Sequence, residues 1–258
     1  MTDSTPHSRH AARRGAGKEA SIVREVAVIV VVALVLSVLV RSFVAQAFFI
    51  PSASMEGTLQ VQDRILVSKL STELSGVHRG EIVVFVDPGG WLPEAVPPTG
   101  ASGVIRRVLM WVGLLPADTG EDLVKRVIAV AGDHIVCCDA RNRIVLNGIP
   151  LVESYLKPGD GTEQVRFDVT VPPGRVFVMG DNRGDSEDSR FHLDVAAGSV
   201  PVANVVGRVV GVMWPASNWS GAPIPAIFEN PALDVAPAAR PAVDTGGDTA
   251  APSGEAVP

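Results

Sequence analysis

Residues 122–130 read DLVKRVIAV, an apolar run rich in β-branched residues with a lysine near its middle. A run of this kind is typical of a buried strand. Since side chains alternate between the two faces of a strand, Lys125 would share a face with Val127 and Ala129, and its amine would be removed from water. A lysine that reaches over an edge strand into solvent is the alternative, and this stretch alone does not decide between the two.

Further short apolar runs lie on both sides of this stretch, and turn-forming residues separate them. The turn-forming segments include DPGG at 87–90, NG at 147–148 and PPG at 172–174. Residues 139–142 are typical of a hairpin loop, and closely spaced strands joined in this way pair antiparallel. We therefore predict a mainly β fold built from antiparallel sheets. The predicted strands are residues 65–67, 81–86, 123–130, 134–136, 143–146, 165–171, 175–179 and 205–214.

The composition argues against several classes of protein. The chain has 258 residues, and its 22 basic against 28 acidic side chains give a net charge of −6, which argues against a nucleic-acid partner. The two cysteines are adjacent, at Cys137 and Cys138, so neither a disulfide scaffold nor paired zinc knuckles are indicated, and their redox state stays open. The sequence has no HExxH motif and its histidines are scattered, so we expect no catalytic metal and no cofactor.

An apolar stretch near the N-terminus predicts a membrane anchor. Residues 26–40 carry no charge, and further apolar residues follow Arg41. Because about 20 helical residues cross a bilayer, we predict a transmembrane helix over residues 26–48. Basic residues are frequent before it, which places the N-terminal tail, residues 1–25, in the cytoplasm and the rest of the chain outside. A secretory signal cleaved after AQA at 45–47 is the alternative.

The chain after the predicted anchor divides into one domain and two less regular segments. Residues 49–230 are predicted to form an extracytoplasmic domain. Within it, residues 91–121 form an insertion whose apolar stripe at 104–112 predicts a helix, which either caps the sheets or rests on the lipid surface. Residues 231–258 contain five prolines, eight alanines and no aromatic residue, so a disordered tail is predicted there.

Two polar segments could supply chemistry to this domain. The segment PSASM at 51–55 has two serines just beyond the predicted membrane exit. A serine nucleophile needs a base, and among the four lysines Lys125 stands in the middle of an apolar strand. The segment GDNRGDSEDSR at 180–190 offers many hydrogen-bonding groups. Ser186 in this segment has the local pattern of a chymotrypsin-like nucleophile, but acidic residues replace the two glycines expected next.

Taken in order, these segments resemble the type I signal peptidases, also called leader peptidases. The resemblance rests on four blocks, which are PSASM at 51–55, GEIVVF at 80–85, KRV at 125–127 and GDNR at 180–183. It implies a catalytic domain of coiled antiparallel β-sheets, held at the outer face of the plasma membrane by a single-pass anchor. It also implies a serine endopeptidase that removes signal peptides from exported preproteins and requires small side chains at positions −1 and −3.

The same resemblance implies a role for each site residue. Ser54 is the nucleophile and Lys125 is the general base. Ser52 would assist the backbone N–H of Ser54 in the oxyanion hole, and the hydroxyl of Ser186 would orient Lys125. The supporting residues would be Arg126, Asp181, Asn182, Asp188 and Arg190.

An alternative from another class stays open on the sequence. Gly57, Glu81 and Ala131 stand where the family often has Pro, Asp and Pro, although none of these differences removes a reacting group. A membrane-tethered, β-rich module that binds a partner without catalysis is the alternative hypothesis. It predicts that Ser54→Ala leaves function intact.

Overall fold

The computed structural model describes residues 13–43, 45–92, 122–159 and 165–234. The helix predicted within 104–112, and all of the predicted insertion except its first two residues, lie outside the described residues.

The described chain is mainly β, as the sequence predicts, and every predicted strand is confirmed with small changes at its ends. The helices are α1 Arg13–Phe43 and the short α2 Leu70–Ser75. The strands are β1 Ala45–Phe49, β2 Arg64–Ser68, β3 Ile82–Val86, β4 Asp122–Val130, β5 His134–Cys137, β6 Ile144–Leu146, β7 Ile149–Pro150, β8 Phe167–Thr170, β9 Arg175–Met179, β10 Val200–Pro201, β11 Val205–Trp214 and β12 Ser220–Gly221. Short 3₁₀ turns occupy 183–185, 189–191, 196–198, 202–204, 216–218, 226–229 and 231–234.

The strands form two antiparallel sheets. The larger has the order β1-β2-β11-β3-β4-β9-β10, with β12 paired to β11, and the smaller has the order β7-β6-β5-β8. Strand β4 lies between β3 and β9, so that Lys125 pairs with Val83 on one side and Arg126 pairs with Met179 on the other. Lys125 is therefore in an interior strand, and the edge-strand alternative is wrong.

A register shift in β4 changes which residues share a face with Lys125. The pairing of β4 with β9 is irregular between Val127 and Ala129. Val127 packs in a cluster with Val83 and Phe85, whereas Ala129 belongs to a different cluster. The predicted simple alternation is thus correct as far as Val127 and wrong at Ala129, because a bulge moves later side chains to the other face.

The N-terminal helix ends earlier than the sequence predicts. Helix α1 runs to Phe43, and Ala45–Phe49 form β1 instead, paired with β2 from Ala45↔Ser68 to Phe49↔Arg64. Phe48 is buried in the protein core, so its apolar character serves packing within the domain. Among the described residues, none of the helices combines the length and the apolar character needed to cross a bilayer.

The domain also extends past its predicted end at residue 230. Leu233 is fully buried in a core cluster, and its carbonyl accepts a hydrogen bond from Asn147 Nδ2 at 2.7 Å. Arg79 bridges the carboxylates of Asp133 and Asp234, each at 2.6 Å. Residues 231–234 are therefore part of the folded domain, and the predicted tail from 235 onward lies outside the described residues.

The adjacent cysteines, whose redox state the sequence leaves open, form a disulfide with each other.

The burial of Leu233 gives a test of this revised boundary. Leu233→Ala should lower the free energy of unfolding by about 2–4 kcal/mol, because it leaves a cavity in a closed cluster. Chemical denaturation of the full chain in detergent measures this change. Ala232→Ser, on an exposed neighbour, is the control. A Leu233→Ala protein as stable as the control would show that the C-terminal turn does not belong to the core.

Candidate active site

The two serines of PSASM lie in the loop between β1 and β2, and this loop is closed by its own backbone. Ile50 N donates to Asp63 O, and Gln62 N donates back to Ile50 O, both at 2.9 Å. Met55 and Leu59 are buried beneath the loop in the core cluster that also contains Ile50. Because both ends of the loop and its apolar side are fixed, the serines are held in one position over the sheet.

Ser54 and Lys125 are in direct contact. The distance from Lys125 Nζ to Ser54 Oγ is 2.7 Å, although the two residues are 71 positions apart in the sequence. Ser54 is 7% exposed and Lys125 is 3% exposed. The loop after β1 and the interior strand β4 thus bring a hydroxyl and an amine together in a site that is largely closed to water.

Burial changes the protonation of this amine. Desolvation lowers the pKa of Lys125 from its ordinary value of 10.5 to about 8, while the carboxylate of Asp188 opposes the change and the charge of Arg190 supports it. A substantial fraction of the amine is therefore neutral near pH 8. In that form it has a lone pair with which to accept the proton of Ser54.

Ser52 lies beside the same hydroxyl. Its Oγ is 3.4 Å from Ser54 Oγ, and its side chain is exposed. Either oxygen can donate in this contact. The two hydroxyl groups are thus neighbours within the nucleophile loop.

The predicted polar loop of residues 180–190 packs directly on the nucleophile loop. Asn182 N donates to Ser54 O at 3.1 Å, and Asn182 Nδ2 donates to Ala53 O at 3.0 Å. At Gly180, an added Cβ would collide with both Ser54 O and Ser186 Oγ. A glycine is therefore required at this point of contact between the two loops.

Asp188 organises the far side of this loop. It accepts hydrogen bonds from Arg190 Nε at 2.8 Å, from Ser186 Oγ at 2.8 Å and from Gly180 N at 3.0 Å. Burial alone would raise the pKa of Asp188, but the Arg190 guanidinium and these donors outweigh it, so the pKa lies below its ordinary value. The resemblance implies that the Ser186 hydroxyl orients Lys125, and in the structure this hydroxyl donates to Asp188.

A second ion pair, between Arg126 and Asp181, fixes the polar loop from the side of β4. Arg126 binds Asp181 through Nε and Nη2 at 2.8 and 2.6 Å, and its Nη1 donates to Gly80 O at 2.7 Å. Thr58 Oγ1 donates to the same Asp181 carboxylate at 2.6 Å. Since Arg126 is the neighbour of Lys125 in β4, and Thr58 belongs to the nucleophile loop, this network links the base strand to the nucleophile loop.

Sequence reasoning missed two residues around this network, Glu153 and Tyr155. The Arg126 guanidinium lies over the Tyr155 ring, 4.3 Å from its centroid. Tyr155 donates to Glu153, and Glu153 also pairs with Arg183, which is fully buried. Burial and the nearby Glu153 carboxylate raise the pKa of Tyr155 well above its ordinary value. Glu153 and Tyr155 come from an irregular segment, whose position no periodic pattern reveals. Tyr155 is the single tyrosine of the chain, and this is the one signal that could have drawn attention to it.

A cleft of about 170 Å³ opens onto Ser54 and Lys125. It is a mainly apolar space between the end of β1, the nucleophile loop and the start of β4. Its lining consists of Phe48, Phe49, Ile50, Pro51, Ser52, Ser54, Met55, Leu92, Asp122, Leu123, Val124 and Lys125. Within the described ranges, no group of three or more His, Cys, Asp or Glu residues could hold a metal ion. The residues facing the cleft suit a serine nucleophile with an amine base acting on an apolar, extended ligand.

The geometry also decides whether Ser186, which has the local pattern of a chymotrypsin-like nucleophile, is suited to that role. Its hydroxyl donates to a carboxylate whose negative charge is held by Arg190. A hydroxyl in this position has a carboxylate of lowered pKa as its partner, which is a poor base for a nucleophile. Ser54, with an amine at 2.7 Å, is the better nucleophile.

Comparison with known proteins identifies the family to which this chain is similar. A family model described as "Signal peptidase, peptidase S26" matches residues 23–214. A protein of Mycobacterium tuberculosis named "Signal peptidase I" is 41% identical over 222 residues, which cover 77% of this chain and 75% of the relative. A "Probable signal peptidase I" of Mycobacterium leprae is 38% identical over 79% of this chain and 80% of the relative. A "Signal peptidase I" of Bacillus caldolyticus is 32% identical over 68% and 82%, respectively.

The lowered pKa of Lys125 predicts how stability depends on pH. Between about 8 and 10.5 the unfolded chain binds a proton at this lysine and the folded chain does not, so stability increases with pH across this window, by roughly 3 kcal/mol. Lys125→Met keeps the apolar stem and removes the titrating group. The variant should therefore be more stable than the wild type at pH 7, and the difference should shrink towards pH 10.

Urea denaturation of the full chain in detergent at both pH values measures this effect. Lys69→Met, which changes the partly exposed lysine after β2, is the matched control. A difference between Lys125→Met and the wild type that stays constant from pH 7 to pH 10 would contradict the lowered pKa of Lys125.

Proposed function

The chain belongs to the peptidase S26 family of signal peptidases, and we propose that Ser54 and Lys125 carry out its hydrolysis of signal peptides. The protein is a serine endopeptidase that cleaves signal peptides, and its substrates are preproteins that carry them. The non-catalytic binding module has no support. The observation that carries the assignment of the two residues is the 2.7 Å contact between the buried Lys125 amine and the Ser54 hydroxyl.

The first half of the reaction uses the neutral form of Lys125. Ser54 Oγ attacks the carbonyl carbon of the scissile bond while Lys125 Nζ takes the hydroxyl proton. When the tetrahedral intermediate breaks its C–N bond, the resulting ammonium of Lys125 gives this proton to the departing amine. The mature protein leaves, and the signal peptide remains bound to Ser54 as an ester.

The second half repeats these transfers with water. Lys125, neutral again, takes a proton from a water molecule that attacks the ester carbonyl, and then returns it to Ser54 Oγ as the acid product forms. The developing oxyanion needs hydrogen-bond donors in both halves. We assign this role to the backbone N–H of Ser54 and to the hydroxyl of Ser52, whose Oγ lies 3.4 Å from the nucleophile.

The remaining residues act on geometry. Asn182 holds the backbone of the nucleophile loop. Arg126 and Asp181 tie that loop to β4 through the hydroxyl of Thr58, which donates to Asp181. Ser186 shapes the surroundings of Lys125 together with Asp188, whose charge acts on the amine. Arg190 holds Asp188 in its ionised form.

The proposal extends to the membrane. The relatives named signal peptidase I support a membrane-associated enzyme. The part of α1 between Ile22 and Leu36 presents apolar side chains that are at least half exposed, and residues 26–40 carry no charge. We assign this segment, as far as the end of α1, to a single-pass anchor with a cytoplasmic N-terminus and the catalytic domain outside.

The dyad predicts a specific pH dependence. kcat/KM for a preprotein should rise about tenfold per pH unit below 8 and level off above it, because the neutral fraction of Lys125 follows its pKa of about 8. Ser54→Ala and Lys125→Ala should each lose at least about 10⁴-fold in kcat. Cleavage of a purified preprotein followed on gels measures both effects.

Matched controls separate chemistry from folding in this assay. Ser75→Ala changes an exposed serine and Lys69→Ala a lysine away from the cleft, and both should keep wild-type rates. If Ser54→Ala kept full activity and Ser186→Ala lost it, Ser186 would be the nucleophile instead of Ser54. Full activity of Lys125→Ala would remove the amine base from the mechanism.

The anchor predicts a topology that proteolysis can measure. Protease added to intact protoplasts should digest the catalytic domain and leave a small protected N-terminal fragment, because only the segment before the membrane exit is shielded. A cytoplasmic protein, intact in the same samples, is the control for leakage. Full-length chain surviving in intact protoplasts and digested after lysis would reverse the orientation.

A further inference from the structure

We propose that Leu92 is a specificity-determining residue, which closes the substrate cleft and limits the size of the side chain that enters it. The inference rests on the proposed function of Ser54 and Lys125. Leu92 lines the same cleft of about 170 Å³ as these two residues, but it comes from a different part of the chain, the turn that follows β3. It lies outside the four sequence blocks that carry the chemistry.

The turn that carries Leu92 is held by one carboxylate. Asp87 accepts hydrogen bonds from the backbone N–H groups of Gly89 at 2.8 Å, Trp91 at 3.2 Å and Leu92 at 3.0 Å. Gly89 and Gly90 have φ angles of +120° and +82°, which favour glycine. The backbone of Leu92 is thereby fixed directly, and this argues for a defined wall of the cleft.

Trp91 holds the same turn from the inside. Its ring stacks on His192 with centroids 4.5 Å apart and meets the edge of Phe85 at 5.8 Å. It belongs to the core cluster against which Leu123 packs, and Leu123 also lines the cleft. Leu92 thus follows directly on a residue of this buried cluster, and Leu123, on another wall of the cleft, packs against the same cluster.

A cleft of this size has consequences for substrate choice. A volume of about 170 Å³ is shared by all substrate side chains that point into it. In an extended peptide, alternate residues point the same way, so the side chains at positions −1 and −3 enter the cleft together. Leu92→Ala keeps Cβ and removes the isopropyl group beyond it, so the space grows by about three carbon atoms, enough to admit a branched side chain beside a small one.

The experiment compares substrates that differ in one residue. A preprotein with alanine at −1 and −3 is compared with versions carrying valine or leucine at either position, using the full-length enzyme in detergent. Leu92→Ala should raise the ratio of kcat/KM for the bulky over the alanine substrate by at least about tenfold at one of the two positions. Leu92→Phe should change the ratio in the opposite direction, and it carries the test if Leu92→Ala does not fold.

The control is Val86→Ala, which shortens an exposed aliphatic side chain of β3 outside the cleft and should leave the ratio unchanged. A ratio within twofold of the wild type for both Leu92 variants at both positions would overturn the proposal. Failure of the proposed function is a separate result, because it would appear as cleavage of the alanine substrate by Ser54→Ala in the same assay.

Discussion

The site depends on one amine that is held out of water. Lys125 is a usable base near neutral pH because burial lowers its pKa to about 8, and this burial is a property of sheet order, since β4 lies between β3 and β9. On an edge strand the same side chain would extend into solvent and stay charged. The loop between β1 and β2 then covers the amine with Ser54. The arrangement of the strands is thus a condition for the chemistry as well as for the core.

The charges around Lys125 are paired with one another. Three buried arginines each have a carboxylate partner, in the pairs Arg126–Asp181, Arg183–Glu153 and Arg190–Asp188. A buried charge without a partner would cost several kcal/mol, whereas each pair is neutral as a whole. The first two pairs also join separate segments of the chain, and the third stabilises the 180–190 loop itself. The opposing effects of Asp188 and Arg190 on the pKa of Lys125 partly cancel for the same reason. The network can therefore orient the site while burial remains the dominant influence on the amine.

The sequence predicts the strands well and draws attention to Lys125, because both leave local signals. The strands correspond to apolar runs between turn residues, and Lys125 is noticeable because it is a lysine inside such a run. Phe48 leads to a predicted anchor that is too long, because the sequence does not distinguish an apolar residue covered by lipid from one covered by the protein core. Leu233 and Tyr155 lie in irregular segments, where position depends on packing with residues far away in the chain. Leu92 likewise gains its importance only when the turn after β3 meets the cleft, which no local pattern encodes.

The contact of Ser186 with Asp188 is compatible with a role at Lys125, because a hydroxyl has one donor and two acceptor positions. The donor is used on Asp188, which leaves the lone pairs of Ser186 Oγ for a cation. The neutral amine of Lys125 requires its lone pair for Ser54, whereas the ammonium formed during the reaction has three N–H donors and needs acceptors. Gly180 lies between Ser186 and the Ser54 carbonyl, and the space there would not admit even a Cβ. The Ser186 hydroxyl is therefore held close to the nucleophile. We therefore propose that Ser186 acts when Lys125 is charged, so that its removal should affect catalysis more than substrate binding.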